Sequence, residues 1–176
     1  MNQITHFAKT IEPSGAVYHD KEGAAFEVRE YQPSDSEDLQ RFYEDFEPKR
    51  AAQGLPPDGP DRIRRWLDSV LPVGIHLLAF RGGELMGHAL VVPTRKKDIG
   101  EYAVFIRHDL RGRGIGTELN RAIVAAARGA GLTGLWLTVQ PRNRAAIRSY
   151  EKVGFRYIPS TVYSTEAEME LALTPN

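Results

Sequence analysis

Apolar residues repeat along this chain with two different periods, and each period predicts one type of secondary structure. Alternation of apolar and polar residues, or a short apolar run, predicts strands over residues 26–31, 75–80, 85–92, 99–106, 132–139, 155–158 and 167–173. Apolar residues at steps of three and four predict helices over residues 34–46, 61–70, 114–128 and 143–152. The predicted order is a strand, a pair of helices, three strands, a helix, a strand, a helix and a final pair of strands.

Turn and cap residues delimit these elements. Ser34 and Glu37 have the spacing of a capping box at the start of the first helix. Gly82-Gly83 between apolar strands indicates a hairpin, so residues 75–106 are predicted to form an antiparallel meander. Residues 1–25 show no clear period and are predicted to form a loosely held N-terminal arm.

The clearest chemical signal is the glycine-rich turn Arg111-Gly112-Arg113-Gly114-Ile115-Gly116, which connects a predicted strand to a predicted helix. Glycine has no Cβ and tolerates positive φ, so such a turn lets the backbone approach a ligand closely. The first N–H groups of the helix have no intrahelical partner and lie at the positive end of the helix dipole. Together these features predict a phosphate site built from main-chain donors.

Two common phosphate motifs do not fit this turn. The dinucleotide fingerprint Gly-x-Gly-x-x-Gly fails because its third glycine would fall at Thr117. A P-loop fails because no Gly-Lys-Ser/Thr follows the turn. What remains is Arg-x-x-Gly-x-Gly at the start of a helix.

That pattern resembles motif A of the GNAT family of N-acetyltransferases, which use it to bind the pyrophosphate of acyl-coenzyme A. Residues 143–155, Asn-Arg-Ala-Ala-Ile-Arg-Ser-Tyr-Glu-Lys-Val-Gly-Phe, are similar to the family's motif B, with its Asn, Tyr and closing Gly-Phe in place. The resemblance is specific over residues 99–157, and the order of elements matches from 26 to 173.

The resemblance implies an α/β fold of the GNAT acyl-CoA N-acyltransferase type. This is an α+β mixed sheet, mostly antiparallel, with helices on both faces and a splayed parallel pair of strands. It also implies a single GNAT domain over residues 26–174, preceded by the arm at 1–25. The loop at 47–60 would border the acceptor groove, although an ordinary connector explains it equally well.

The family's activity implies transfer of an acetyl group from acetyl-CoA to a primary amine by direct attack in a ternary complex. In the family, backbone N–H groups of motif A hold the pyrophosphate, and the pantetheine arm fills the gap beside the splayed strand. A strand N–H, here near Val104, points at the thioester carbonyl, which is an oxyanion-hole arrangement. Asn143 would contact the arm, and it is equally suited to cap its helix. The implied cofactor-binding residues are Val104, Phe105, Ile106, Arg111, Gly112, Arg113, Gly114, Ile115, Gly116, Thr117 and Asn143.

Glu101 is the candidate general base. An amine like that of lysine has a pKa of about 10.4, so neutralising it at pH 7 costs about 4–5 kcal/mol, and a carboxylate or an ordered water must accept the proton. Glu101 lies three residues before Val104 in an otherwise apolar strand, where burial would make it a stronger base. An exposed edge glutamate is the alternative interpretation. His76 and His88 are further candidates, although a lone histidine in a strand is more often structural.

Tyr150 is the candidate general acid, because it matches the family tyrosine that reaches the coenzyme sulfur. A phenol has a pKa of about 10 and a thiol about 8.5, so the values are close enough for useful proton transfer. The alternative is a core aromatic, since Ile147 and Tyr150 share a helix face.

Composition narrows the class of protein. The chain has 176 residues with 23 basic and 23 acidic side chains, and this balance argues against a nucleic-acid or anionic-membrane partner. It has no cysteine, which excludes disulfides and a cysteine nucleophile. With neither a signal peptide nor a membrane span in the sequence, we expect a cytoplasmic monomer or homodimer. Nine basic residues lie near the turn and its helix or along residues 142–152, and we expect a few of them to create a local positive field for phosphates and the rest to be solvated surface residues. They are Arg107, Arg111, Arg113, Arg121, Arg128, Arg142, Arg144, Arg148 and Lys152.

The acceptor stays open between a small-molecule amine and a protein lysine. The bacterial protein-lysine acetyltransferases, one GNAT branch, have a similar Glu-aromatic-Ala-Val strand start, and this slightly favours the lysine. A non-catalytic acyl-CoA-binding module is the alternative from another class, followed by a general nucleotide-binding protein. A metal enzyme is not expected, because the five histidines show no ligand spacing.

Overall fold

The computed structural model describes residues 15–47, 56–96, 98–159 and 165–173, and in these ranges eight strands and four α-helices form. The strands are β1 (Ala16–His19), β2 (Ala25–Glu30), β3 (Ile75–Arg81), β4 (Glu84–Pro93), β5 (Ile99–Ile106), β6 (Gly134–Val139), β7 (Arg156–Tyr157) and β8 (Ala167–Ala172). The helices are α1 (Ser36–Glu44), α2 (Pro60–Val70), α3 (Ile115–Gly129) and α4 (Arg144–Glu151). Short 3-10 turns precede α1, at Pro33–Asp35, and α3, at His108–Leu110.

The strands form one mixed sheet in the order β1-β2-β3-β4-β5-β6-β8-β7. Neighbouring strands are antiparallel except β5 and β6, which run parallel. Their pairing begins with Ile99 opposite Gly134 and ends with Glu101 opposite Trp136. Both strands continue past that point without pairing to each other, so they splay apart. This arrangement confirms the predicted fold class.

Two hydrophobic clusters bury the two faces of the sheet. On one face α3 contributes Ile115, Leu119 and Ile123, whose side chains are completely buried, at the four-residue step of a helical stripe. On the other face α1 and α2 pack through Leu39 and Ile63, which are also buried. Covering both faces explains why the central strands β3 and β4 are continuous apolar runs rather than alternating ones.

The side chains of β5 alternate between these two clusters. Tyr102 belongs to the α3 cluster, and Val104 and Ile106 pack against it. Phe105 belongs to the α1–α2 cluster, with Ala103 packed against it. Alternate residues of a strand point to the same face, so Glu101 points to the α1–α2 side of the sheet, like Ala103 and Phe105.

The predicted N-terminal arm is described only from residue 15 onward. Its last part contains β1, which pairs antiparallel with β2 from Ala16 opposite Val28 to His19 opposite Ala25. β1 thus forms one edge of the sheet. Residues 1–14, like most of the predicted loop at 47–60, lie outside the described residues.

The predicted capping box at the start of the first helix is wrong. Asp35, rather than Ser34, precedes the helix, after a 3-10 turn that begins at Pro33. The Asp35 carboxylate accepts the N–H of Gln32 at 2.7 Å and pairs with the Arg29 guanidinium at 2.7 Å. The Asp35 carboxylate is thus used by the preceding turn and by β2, and α1 begins at Ser36 without a side-chain cap.

Candidate active site

A cleft of about 380 Å³ opens where β5 and β6 separate. β5 forms one wall and the end of β6 with the first turns of α4 forms the other. The turn between β5 and α3 closes one end. Of the predicted site residues, the lining includes Glu101, Val104, Phe105, Ile106, Arg111, Gly112, Gly114, Gly116, Thr117, Asn143 and Tyr150.

Arg113 and Ile115 are the predicted cofactor-binding residues whose side chains do not line the cleft. Ile115 is completely buried in the α3 cluster. Arg113 forms an ion pair with Glu22 at 3.1 Å. Any contact of these two residues with a ligand in the cleft is therefore a main-chain contact.

The glycine-rich turn presents a run of free main-chain donors. Gly112 and Gly114 have φ of 81° and 93°, a conformation that favours glycine. In the described part of the chain, the N–H groups of residues 112–116 donate to no protein acceptor. Those of Arg111 and Thr117 are engaged by the carbonyls of His108 and Gly114. Five consecutive donors at the N-terminus of α3 suit an anion such as a phosphate.

The backbone of β5 presents its polar groups to the cleft at alternate residues. Arg107 donates its N–H to the Met86 carbonyl on β4 at 3.0 Å, and the β4–β5 register continues without a bulge. Because successive peptide groups of a strand point to opposite sides, the N–H and C=O groups of Val104 and Ile106 face away from β4. The Arg111 side chain accordingly reaches the Ile106 carbonyl at 3.2 Å. Val104 thus offers both of its main-chain polar groups to the cleft, and Ile106 offers its N–H.

Glu101 occupies the position where the cleft begins. It is the last residue of β5 that pairs with β6, and its side chain is exposed. The burial expected from its apolar neighbours is therefore wrong. A carboxylate at this mouth exchanges protons with solvent directly.

Tyr150 is both a core residue and a cleft residue. Its ring packs against Tyr102 and Phe155 at centroid distances of 6.0 and 5.8 Å, and only 7% of the residue is exposed. Burial raises the pKa of Tyr150 above that of a free phenol. Among the described residues its hydroxyl has no hydrogen-bond partner, and no completely buried side-chain polar atom there is unsatisfied. The hydroxyl therefore reaches the cleft surface.

A buried polar chain that the sequence analysis missed fixes α4 beside β5. The Tyr102 hydroxyl donates to Asn120 Oδ1 on α3, and Asn120 donates to Ser149 Oγ at 3.1 Å. Ser149 in turn donates to the Ala146 carbonyl at 2.8 Å. Because Ser149 immediately precedes Tyr150, this chain sets the position of the Tyr150 ring. Only the folded packing of three elements brings these residues together, so no local motif could have revealed them.

Asn143 caps α4, as its position predicted. Its Oδ1 accepts the N–H of Ala146 at 3.2 Å. Its side-chain amide nitrogen has no partner among the described residues and lies at the cleft. One side chain can therefore cap the helix and donate to a ligand at the same time.

In the described part of the chain, three of the nine basic residues near the turn and along residues 142–152 form ion pairs, among them Arg113 with Glu22. Arg107 pairs with Glu84 and Asp109, and Arg121 pairs with Glu118. The Arg111 guanidinium lies 5.3 Å from the Phe46 ring centre and donates to the Glu47 carbonyl, so it points toward the end of α1. Residues that line the cleft with a positive charge are Arg111, Arg148, Lys152 and, unexpectedly, Lys21.

His76 and His88, the alternative candidates for a base, lie in the core and do not line the cleft. His76 Nε2 donates to the carbonyls of Val70 and Val73 at 3.0 and 3.1 Å, so its Nδ1 accepts from His88 Nε2 at 3.1 Å. His88 Nδ1 then accepts from the Tyr43 hydroxyl at 2.6 Å. This assignment satisfies both rings in the neutral form, and burial lowers the pKa of both histidines.

In the described ranges, no group of three or more His, Asp or Glu side chains is arranged to hold a metal ion. No helix in those same ranges combines the length and the apolar composition that crossing a bilayer requires.

The profile of the acetyltransferase (GNAT) family matches residues 36–155. That span runs from the first residue of α1 to Phe155, just after α4, and it includes the glycine-rich turn and both separated strands. The chain belongs to the GNAT family.

Two curated relatives of this GNAT protein are acetyltransferases of different substrates. The L-methionine sulfoximine/L-methionine sulfone acetyltransferase of Pseudomonas aeruginosa is 26% identical over 144 residues, which cover 80% of this chain and 71% of that protein. The mycothiol acetyltransferase of Streptomyces coelicolor is 35% identical over 103 residues, which cover 57% of this chain and 32% of that protein. The second likeness therefore concerns about a third of mycothiol acetyltransferase.

Solved GNAT structures share the fold at low identity. The GNAT domain of S. lividans PAT superposes with a TM-score of 0.75 at 22% identity, covering 90% of this chain and 97% of that one. YncA from Salmonella typhimurium, solved with its cofactor acetyl-CoA, gives a TM-score of 0.70 at 18% identity, covering 87% and 96% of the two chains.

Membership of the GNAT family makes this protein an acyl-CoA-dependent N-acyltransferase with acetyl-CoA as its cosubstrate. The residues present fit acetyl-CoA. The glycine-rich turn offers five free N–H groups for a pyrophosphate, and the unpaired edge of β5 matches the extended, amide-containing pantetheine arm.

Proposed function

We propose that this GNAT protein transfers the acetyl group of acetyl-CoA to a primary amine by direct attack in a ternary complex, with Glu101 as the proton acceptor and Tyr150 as the proton donor. The observation that carries the proposal is the end of the parallel β5–β6 pairing at Glu101 and Trp136. It leaves a strand edge free for the coenzyme, and the Tyr150 hydroxyl, which has no hydrogen-bond partner among the described residues, lies in the same cleft.

Binding of the coenzyme uses main-chain groups. The pyrophosphate accepts hydrogen bonds from residues 112–116, and the amides of the pantetheine arm pair with Val104 and Ile106. Hydrogen bonds to charged groups contribute about 1.5–3 kcal/mol each, so several of them hold the coenzyme without one dominant side chain. The Asn143 amide supplies a further donor from α4.

The chemical step is a nucleophilic substitution at the thioester. The neutral amine attacks the carbonyl carbon, the new C–N bond forms, and the C–S bond breaks after the tetrahedral intermediate. The Val104 N–H faces the cleft and stabilises the developing oxyanion. The proton of the amine passes to Glu101, directly or through a water, and from Glu101 to solvent.

Tyr150 completes the step by protonating the leaving thiolate. Its raised pKa keeps the phenol protonated through neutral pH, so it is a donor and not a base. A thiolate in the same cleft is also poorly solvated, which favours its protonation. Tyr150 is then reprotonated from solvent.

Two classes of acceptor fit this mechanism, a small-molecule amine and a protein lysine. The relative that acetylates L-methionine sulfoximine and L-methionine sulfone supports a small molecule with an amino-acid amine. The mouth beside Glu101 is exposed, which also allows the side chain of a protein lysine to enter.

The test is turnover of acetyl-CoA, measured by release of the free thiol, across amino acids and their analogues, other small amines and lysine peptides. We expect release with one acceptor class and not with the other. Release with neither class, while acetyl-CoA binds tightly in calorimetry, would favour the non-catalytic acyl-CoA-binding module. An absence of binding would contradict the assignment of the glycine-rich turn.

A further inference from the structure

The turn between β1 and β2, residues Asp20–Ala24, is attached to the glycine-rich turn. Lys21 donates its main-chain N–H to the Arg113 carbonyl at 2.9 Å. Its ammonium donates to the Gly112 carbonyl, also at 2.9 Å. The stem of Lys21 packs over Gly114, where an added Cβ would lie 3.2 Å from Lys21 Cγ. A segment far away in sequence therefore covers one side of the phosphate-binding backbone.

Asp20 holds this turn in one conformation. Its Oδ1 accepts the N–H groups of Glu22 and Ala24, both at 2.9 Å, and its Oδ2 pairs with Arg81 at the end of β3 at 2.6 Å. The Asp20 side chain has no exposed surface, and the Arg81 guanidinium lowers the pKa of the Asp20 carboxyl. Lys21 is consequently presented from a fixed turn and not from a freely moving arm.

The charges around the glycine-rich turn distinguish Lys21 from its neighbours. Arg113 is paired with Glu22, and the Arg111 guanidinium is turned toward Phe46 and Glu47. Within the described residues, no carboxylate pairs with the Lys21 ammonium. An ammonium has three donors, and one of them is used by the Gly112 carbonyl. Two donors and an uncompensated positive charge remain at the cleft.

We propose that Lys21 binds the pyrophosphate of acetyl-CoA and completes the phosphate site that the glycine-rich turn begins. The inference rests on the proposed function, because it takes residues 112–116 as the pyrophosphate-binding donors. The ammonium is held at the main chain of Gly112, the residue whose N–H begins that run, and Lys21 lines the same cleft as Gly112 and Gly114. Lys21 also offsets the negative end of the Gly112 carbonyl, which would otherwise repel the phosphate.

The experiment compares Lys21→Met and Lys21→Arg with the wild type. Methionine keeps an unbranched stem over Gly114 but removes the charge, and arginine keeps the charge. Lys96→Met is the matched control, since Lys96 is exposed in another turn and does not line the cleft. Binding is measured by calorimetry with acetyl-CoA and with acetyl-dephospho-CoA, which lacks the 3′-phosphate. Turnover is measured with acetyl-pantetheine, which lacks the pyrophosphate.

We expect Lys21→Met to weaken binding of both nucleotide cosubstrates by about tenfold, which corresponds to one charge-assisted hydrogen bond. Lys21→Arg should recover most of this loss, and Lys96→Met should bind like the wild type. The wild-type affinity should fall more steeply with added salt than that of Lys21→Met. Turnover of acetyl-pantetheine should be the same in the wild type and in Lys21→Met.

Three outcomes would overturn the proposal. A loss seen with acetyl-CoA but not with acetyl-dephospho-CoA would place Lys21 at the 3′-phosphate. An equal loss with acetyl-pantetheine would mean that Lys21 supports the fold and not the phosphate. Unchanged binding in Lys21→Met would remove it from the site. A wild type that binds no acetyl-CoA would instead contradict the proposed function itself.

Discussion

Glu101 lies opposite Trp136 at the last paired position between β5 and β6, and from there the two strands no longer pair. Glu101 therefore lies at the boundary between the paired part of β5 and β6 and the cleft that opens between them. This arrangement places a carboxylate at the mouth of the cleft and the unpaired backbone of Val104 three residues further in. This distribution of roles along one strand can be tested residue by residue.

Replacing Glu101 by Gln should lower kcat by about 10²-fold, because the amide cannot accept the proton of the amine. The affinity for acetyl-CoA should stay near the wild-type value, since the coenzyme contacts lie further along β5. Steady-state kinetics, with calorimetry of acetyl-CoA binding, measures both.

Glu170→Gln is the matched control for Glu101→Gln. Glu170 is an exposed glutamate on β8, and it pairs with Trp136 on the edge of β6 that faces away from β5. The substitution therefore removes the same charge from a nearby position. The variant should turn over like the wild type. If both variants lost activity equally, the loss would arise from the change in local negative charge and not from the loss of a proton acceptor.

Replacing Tyr150 by Phe should slow acetyl transfer by about 10–10²-fold with little effect on folding. The ring contacts with Tyr102 and Phe155 survive the substitution, and among the described residues the lost hydroxyl has no hydrogen-bond partner. Tyr102→Phe provides the contrast, because it leaves the buried Asn120 Oδ1 without its donor and should lower the free energy of unfolding by about 1–3 kcal/mol. Thermal denaturation and initial rates distinguish the two roles.

A wild-type rate in Tyr150→Phe would make Tyr150 a core aromatic only. A large loss of stability in the same variant would reveal a hydroxyl contact essential to the fold. The first result would remove Tyr150 from the proton-donor role, and the second would attribute the lower rate to the fold.

The local patterns of this sequence predict its elements well, because each pattern is decided by neighbours in the chain. The helical spacing of Leu119, Ile123 and Ala127 and the apolar strand at residues 99–106 are both present in the structure. The glycine-rich turn is also local, and its free N–H groups follow from the start of α3.

What the sequence could not predict depends on residues far apart in the chain. The exposure of Glu101 depends on what packs over its side of the folded sheet, and its apolar sequence neighbours gave the wrong expectation. Lys21 lies in a stretch with no period, and only the β1–β2 pairing brings it to Gly112. Arg113 belongs to the motif, yet an ion pair with Glu22 takes its charge away from the cleft.

Replacing Gly114 by Ala should weaken acetyl-CoA binding and lower stability together. Gly114 has a φ of 93°, which costs a residue with a Cβ roughly 1–2 kcal/mol, and the new methyl group would press on Lys21. Gly131→Ala is the matched control, because Gly131 has a φ of 79° after α3, with open space around it and no position in the cleft. Both variants should melt at lower temperature, and only Gly114→Ala should lose affinity in calorimetry. Equal acetyl-CoA binding by both variants would contradict a close backbone approach to the coenzyme at Gly114.

The buried pair His76 and His88 should make the protein less stable as the pH falls below about 6.5. Burial lowers the pKa of both histidines in the folded state, while in the unfolded chain they titrate near 6.5. Below that pH the unfolded state binds protons that the folded state does not, so the free energy of unfolding decreases by up to about 1.4 kcal/mol per pH unit for each histidine. Above about pH 7.5 both states are neutral and the contribution is constant. Urea denaturation at a series of pH values measures the slope.

The slope should become shallower in His88→Gln, which removes one of the buried titrating rings, even though this variant is less stable at every pH because Tyr43 and His76 lose their partner. His108→Gln is the matched control, because His108 is exposed and should leave the slope unchanged. The slope is the informative quantity, since a general loss of packing shifts the whole curve without changing its dependence on pH. A slope in His88→Gln equal to that of the wild type would mean that the acid sensitivity arises from other groups, such as the carboxylates paired with Arg29 and Arg81. Those pairs depend on ionised Asp35 and Asp20, whose pKa values are lowered, so their contribution is lost only at more acidic pH.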